Sequence, residues 1–82
     1  MVKWFRKKPV KVQAVQFLGS DEVFEFCPKA REDRDEKGNT CVVIPTPEGE
    51  IKLNKYDWLL LAPNGSFYKS EPDIMEEFYE EL

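Results

Sequence analysis

Apolar and polar positions change period several times along the chain, and each change marks an element. In residues 10–18, VKVQAVQFL, Val10, Val12 and Ala14 fall on one face and Lys11 and Gln13 on the other. That is the two-residue period of a half-buried strand. Val15 and Phe17 then make the second face apolar, which predicts a bulge or burial on both sides before Gly19 closes the segment. At Ser20-Asp21-Glu22 the pattern turns helical. Ser20 is placed to accept from the first free N–H groups, the two acids suit the positive end of the helix dipole, and Val23, Phe24 and Cys27 form an apolar stripe flanked by Phe26 and ended by Pro28. Residues 29–39 carry four cations, four acids and almost no apolar side chain, the signature of a solvated loop free to move.

Residues 40–46, TCVVIPT, have the β-branched content of a strand, with Pro45 placing its end at an edge or beyond the pairing region. Pro47-Glu48-Gly49 turns the chain, and Ile51 and Leu53 point inward on the return. Residues 49–68 then organise the rest as an expected meander. A strand leads into a turn at Asn54-Lys55-Tyr56-Asp57, the unbroken apolar run 58–62 predicts a central strand covered on both faces, and Pro63-Asn64-Gly65-Ser66 reverses the chain into Phe67-Tyr68-Lys69. The last element is an amphipathic helix with Asp73 as N-cap and Glu76 three residues on. Its Ile74, Phe78 and Leu82, with Met75 beside them, are expected to dock on the sheet, with Glu76, Glu77, Glu80 and Glu81 opposite. Residues 1–8 read as a lead-in strand. The fold class is α+β: a small antiparallel sheet or SH3-like, partly open barrel of about five strands, with one short helix after strand 1 and a C-terminal amphipathic helix.

Composition narrows what such a domain does. Eighty-two residues make a single domain near the lower limit of a self-sustaining core, and 41% hydrophobic with 34% charged residues fits a globular chain rather than a disordered one. No apolar run approaches the ~20 residues of a membrane span, and no apolar segment of a secretory signal follows the basic start, so the expected address is the cytoplasm. Histidine is absent and the two cysteines, Cys27 and Cys41, lie in no ligand pattern. That argues against metal sites and histidine-based catalysis and for two reduced, buried thiols. Acid pairs such as Asp33/Asp35 and Glu76/Glu80 sit in solvated, charge-rich settings, so an enzyme is the least favoured reading and no catalytic residue or cofactor is assigned.

Charge is unevenly spread. Residues 1–11 hold Lys3, Arg6, Lys7, Lys8 and Lys11 and no acid, so with a net charge of −4 the remainder carries −9. Six acids fall in the last twelve residues: Glu71, Asp73, Glu76, Glu77, Glu80 and Glu81. Acids late in a helix oppose its dipole, a small argument for a basic partner there. An acidic domain repels duplex phosphates over most of its surface and suits a basic protein better.

Three segments together, RKKPVKVQAVQF, IPTPEGEIKLNKYDWLL and NGSFYKSEPDIMEEFYEE, resemble the PGDYG family of small proteins of tailed phages and prophages. The likeness spans most of the chain and fails in the charged segment 29–39. It implies a phage origin and a small β-rich fold, and it brings no assigned activity. Where the family carries Pro-Gly before Asp-Trp or Asp-Tyr, this chain has Lys55-Tyr56 before Asp57-Trp58, so the backbone is expected to leave the conformation a glycine would hold.

Three functional readings follow. The favoured one is a phage- or prophage-encoded, non-enzymatic binding protein that inhibits a host protein, in an anti-defence role within the infected bacterial cytoplasm. Its candidate surface is Asp73, Glu76, Glu77, Tyr79, Glu80 and Glu81. The alternative is a protein that sequesters a nucleotide-type signalling ligand in the interface of a homo-oligomer, through Trp4, Arg6, Lys7, Lys8, Lys11, Tyr56 and Trp58, cations beside aromatics. Core support is the competing role for Tyr56 and Trp58. The third reading is a virion accessory or assembly protein without a site.

Overall fold

In a computed structural model the described residues are 2–7 and 10–81, with backbone alone for Phe5, Arg6, Lys7, Val10 and Glu80. The elements in chain order are β1 (Lys3–Lys7), β2 (Val10–Gln16), α1 (Glu22–Phe26), β3 (Arg31–Arg34), β4 (Thr40–Thr46), β5 (Gly49–Leu53), β6 (Trp58–Leu61), β7 (Phe67–Ser70), α2 (Pro72–Phe78) and β8 (Glu80–Glu81). They form two antiparallel sheets, β7-β6-β2-β1-β8 and β3-β4-β5. The fold is α+β, as the periodicities predict.

The unbroken apolar run of β6 makes it the central strand it was expected to be, between β2 and β7. Leu59 faces the main core with Val15, Phe17, Val23, Cys27, Val42, Ile44 and Leu53, side chains drawn from both sheets and α1. Leu60, one residue on, faces the other way into a second cluster with Val12, Ala14 and Met75 of α2. Each of the buried Val, Leu, Ile, Phe and Met side chains among them contributes ~1.5–3 kcal/mol relative to leaving it in water. Cys27 and Cys41 are free thiols and both are buried. Phe26 of α1 meets Phe67 of β7 edge-to-face, at 6.1 Å between ring centroids.

Four expectations are corrected. Residues 31–34 are not a loop: they form β3, paired with β4 from Arg31↔Val43 to Arg34↔Thr40. All four side chains are exposed, so no apolar face marks the strand in the sequence, and pairing alone makes it one. The segment 49–68 is not one meander, because β5 pairs with β4 in one sheet while β6 pairs with β2 in the other. The C-terminal helix ends at Phe78, and Glu80 and Glu81 lie in β8, opposite Arg6 and Phe5. The face of α2 that docks is Met75, with Tyr79 packed behind it, whereas Ile74 and Phe78 are 39% and 54% exposed; Leu82 lies outside the described residues. Cap positions shift as well: Asp21 and Glu71 are the N-caps, neither with a side-chain cap bond, and Pro72 opens α2.

The chain returns from the smaller sheet to the larger between β5 and β6, and two backbone bonds there extend the β2–β6 ladder. Phe17 N–H donates to the Asp57 carbonyl at 2.9 Å, and Tyr56 N–H donates to the Phe17 carbonyl at 2.7 Å. Asp57 is buried, accepting from Asn54 N–H at 2.9 Å and facing Lys69 Nζ at 3.4 Å. Asp57→Ala leaves the Asn54 donor without its acceptor and is expected to lose about 2 kcal/mol in urea unfolding. Lys69→Ala removes only a half-exposed ion pair and is expected to lose less than about 1 kcal/mol. Equal losses would assign the anchoring to the ion pair instead of the turn.

Candidate functional site

The 54–57 turn is closed by Asp57 N–H donating to the Asn54 carbonyl at 3.0 Å. Its third residue, Tyr56, has φ +79°, the one positive φ outside glycine among the described residues. The chain therefore keeps the glycine-type conformation that the substitution was expected to abolish. A side chain there costs ~1–2 kcal/mol, and the peptide groups on both sides are pinned: Gln16 Nε2 donates to the Tyr56 carbonyl at 3.0 Å, beside the two Phe17 bonds. The Tyr56 ring is 53% exposed, with Lys55 Nζ 5.4 Å from its centroid.

This ring borders an open cleft of about 890 Å³. Phe17 and Gly19 reach it from the end of β2, Lys52 from β5, and Asn54, Lys55 and Tyr56 from the turn. The β3–β4 hairpin adds Glu32, Asp35 and Lys37 among others. Among the described residues Lys37, Lys52 and Lys55 make no ion pair. Asp35 is engaged within its own hairpin, where its Oδ1 accepts from Lys37 N–H and Asn39 N–H, each at 2.9 Å. Those bonds, led by Asn39, and the charge of Lys52 hold the Asp35 carboxyl below the ordinary aspartate range. A second cleft of about 390 Å³ lies between Cys27, Pro45, Pro47 and Phe67. Among the described residues no cluster of ligating side chains fits a metal ion, and no helix is long and apolar enough to cross a membrane.

The residues expected to form sites fall in separate places. Asp73, Glu76 and Glu77 share α2 and are exposed, whereas Tyr79 packs on the second core cluster, and Glu81 pairs with Lys3 at 2.9 Å. Glu80 is placed in β8 by its backbone. For the alternative set, Trp4 and Lys11 are exposed on one face of the sheet by register, Trp4 pairing with Gln13. Trp58 pairs with Gln16, an odd number of positions from Gln13, so it lies on the opposite face, half-buried against the cluster of Val12, Ala14, Leu60 and Met75. Tyr56 stands apart from both at the turn. Arg6 and Lys7 are placed only by their pairing with Lys11 and Val10, and Lys8 lies outside the described residues. Phe17, Asp35, Lys37, Lys52, Asn54 and Lys55 were absent from the sequence-based sets. The one signal for them was a tyrosine where the turn prefers glycine.

No protein-family model, curated protein or solved structure matches the chain.

Two measurements test this geometry. Tyr56→Gly relieves the positive φ at the expense of a more flexible unfolded chain, so it is expected to leave stability unchanged or raise it by up to ~1 kcal/mol. A loss above that in thermal unfolding would show that the ring supports the fold. For Asp35, a lowered folded-state pKa means that the hairpin bonds stabilise above the ordinary aspartate range and are lost as pH falls through the lowered value. The Lys37 and Asn39 amide resonances are expected to titrate together with a midpoint below about 3.9, and Asp35→Asn is expected to remove that step.

Proposed function

We propose that this protein is a non-enzymatic binding protein that docks a basic protein partner on the exposed side of α2. One observation carries the reading. Ile74 and Phe78, one helical turn apart, stay exposed on the same short helix as Asp73, Glu76 and Glu77. An apolar pair within a ring of acids is the arrangement of a docking anchor with a charged rim. Among the described residues these three acids make no ion pair, and α2 has no basic residue in its last turn. Acids there oppose the helix dipole, an unfavourable term that a cationic partner relieves.

The rest of the molecule serves as a platform. We read the two sheets as a partly open SH3-like barrel, with helix α2 packed on the second cluster, on the side of the larger sheet away from the main core. The resemblance of three segments to the PGDYG proteins supports a phage or prophage origin, with the partner a host protein of the infected cytoplasm and inhibition of a defence function as the role. Within the candidate set, Asp73, Glu76 and Glu77 form the rim, Ile74 and Phe78 replace Tyr79 as the anchor, and Glu81, already paired with Lys3, contributes less.

The test begins with a partner retained from host lysate, identified, purified and bound again. The expected partner has a basic surface. Phe78→Ser with Ile74→Ser, and separately Glu76→Lys with Glu77→Lys, are each expected to weaken it at least tenfold, about 1.4 kcal/mol, without lowering the thermal midpoint. Binding should also weaken with added salt. A partner insensitive to both pairs of substitutions, or self-association lost on Phe78→Ser, would overturn the reading.

A further inference from the structure

Tyr56 sits where energy favours glycine. Its backbone is strained, its ring is half in water, and among the described residues the one ring partner is its own neighbour Lys55 at 5.4 Å. An exposed cation–π contact is worth ~0.5–1 kcal/mol, less than the ~1–2 kcal/mol of the strained backbone. Packing in the core does not repay the difference, since Tyr56 belongs to neither core cluster. The bonds to its flanking peptide groups fix this backbone but would hold a glycine equally well, so they leave the presence of an exposed ring at the cleft without a role in the fold.

The surroundings define a contact for the ring. Lys37, Lys52 and Lys55 border the same cleft without an ion pair among the described residues, and Asn54 lines it beside them. Glu32 and Glu36 face it from the β3–β4 hairpin, while Asp35 is committed to Lys37 N–H and Asn39 N–H. A flat aromatic surface beside ammonium groups, with carboxylates across the opening, matches a ligand with a stacking ring, an anionic group and hydrogen-bond donors on the ring. The volume, about 890 Å³, lies within the ~300–1,000 Å³ of small-molecule sites. We infer that the cleft between the 54–57 turn and the β3–β4 hairpin is a nucleotide-binding site, with the amino-bearing base stacked on Tyr56 and the phosphate held by Lys52 and Lys55. This site is distant in the fold from the Trp4–Lys11 face and independent of docking on α2.

The probe is adenosine 5′-monophosphate, titrated to millimolar concentration into isotopically labelled full-length protein, with adenosine and ribose 5-phosphate as separate arms. Saturable shifts are expected at the amides of Gly19, Lys52, Lys55 and Tyr56. Each half-molecule should bind at least about tenfold more weakly, because stacking and phosphate contacts each contribute on the order of one to three kcal/mol. Tyr56→Phe is expected to keep the affinity and Tyr56→Leu, equally strained, to lose about tenfold. Lys52→Glu with Lys55→Glu should lose at least as much and flatten the salt dependence. No saturable shift, equal binding by Tyr56→Leu, or ribose 5-phosphate binding as well as the nucleotide would each overturn the inference. So would shifts centred on Trp4 and Lys11.

Discussion

Two backbone hydrogen bonds between Phe17 and the 54–57 turn carry the β2–β6 ladder one step past Gln16 and Trp58, and so fix where the chain coming from the smaller sheet enters the larger one. Phe17 follows β2 in the larger sheet, and its ring sits in the core that the smaller sheet covers. The turn follows β5 in the smaller sheet and delivers the chain to β6 in the larger. The two sheets share no strand pairing, so the core between them, with side chains from both, holds them together, and this turn sets where the chain crosses. Asp57 stiffens the junction from inside by capping Asn54, and Tyr56 accepts a strained conformation so that both flanking peptide groups can be bonded.

Much of the fold was legible because each strand with a buried face announces it. β2 alternates, β4 is β-branched, and β6 is apolar throughout since Leu59 and Leu60 each have a core to fill. The turn at 63–66 was legible from Asn64-Gly65: Gly65 takes φ +87° and Asn64 Oδ1 accepts from Ser66 N–H. β3 was not, because an edge strand with four solvated side chains has no apolar periodicity to read. The rotation of α2 was missed for another reason. Ile74, Met75 and Phe78 fall within about 100° of one helix face, an ordinary apolar stripe, so periodicity marks the face but not which member is buried, and contact with Val12, Ala14 and Leu60 decides for Met75. Sheet partnership was likewise invisible, since a strand pattern names a face but not a neighbour.

The candidate sites were half legible for related reasons. The chain marked 54–57 as a turn through Asn54 and Asp57, while the unusual place of Tyr56 showed only through the resemblance. Its setting was not visible, because Lys37, Lys52 and Gly19 arrive at the cleft from three other elements. The most conspicuous sequence feature, a basic head and an acidic tail, changes meaning once folded. β8 lies along β1 and Glu81 bonds Lys3, so part of the two opposite charge runs answers each other within the molecule. What is left over is the acid of α2, and it stands beside exposed apolar groups.

The β1–β8 pairing also shapes how the protein reaches its native state. Phe5 and Glu81 are aligned across nearly the full length of the chain, so forming that contact closes the largest loop the topology contains. Closure entropy rises with loop length, and only two residues of β8 are paired to offset it. In the larger sheet the β6–β7 and β1–β2 hairpins have local contacts and are favoured early, whereas the β8 edge closes the longest loop and is favoured last. The same ordering in reverse makes this seam the first to open. The backbone groups of β1 that β8 covers are then intermittently free, giving an otherwise finished sheet one edge that breathes.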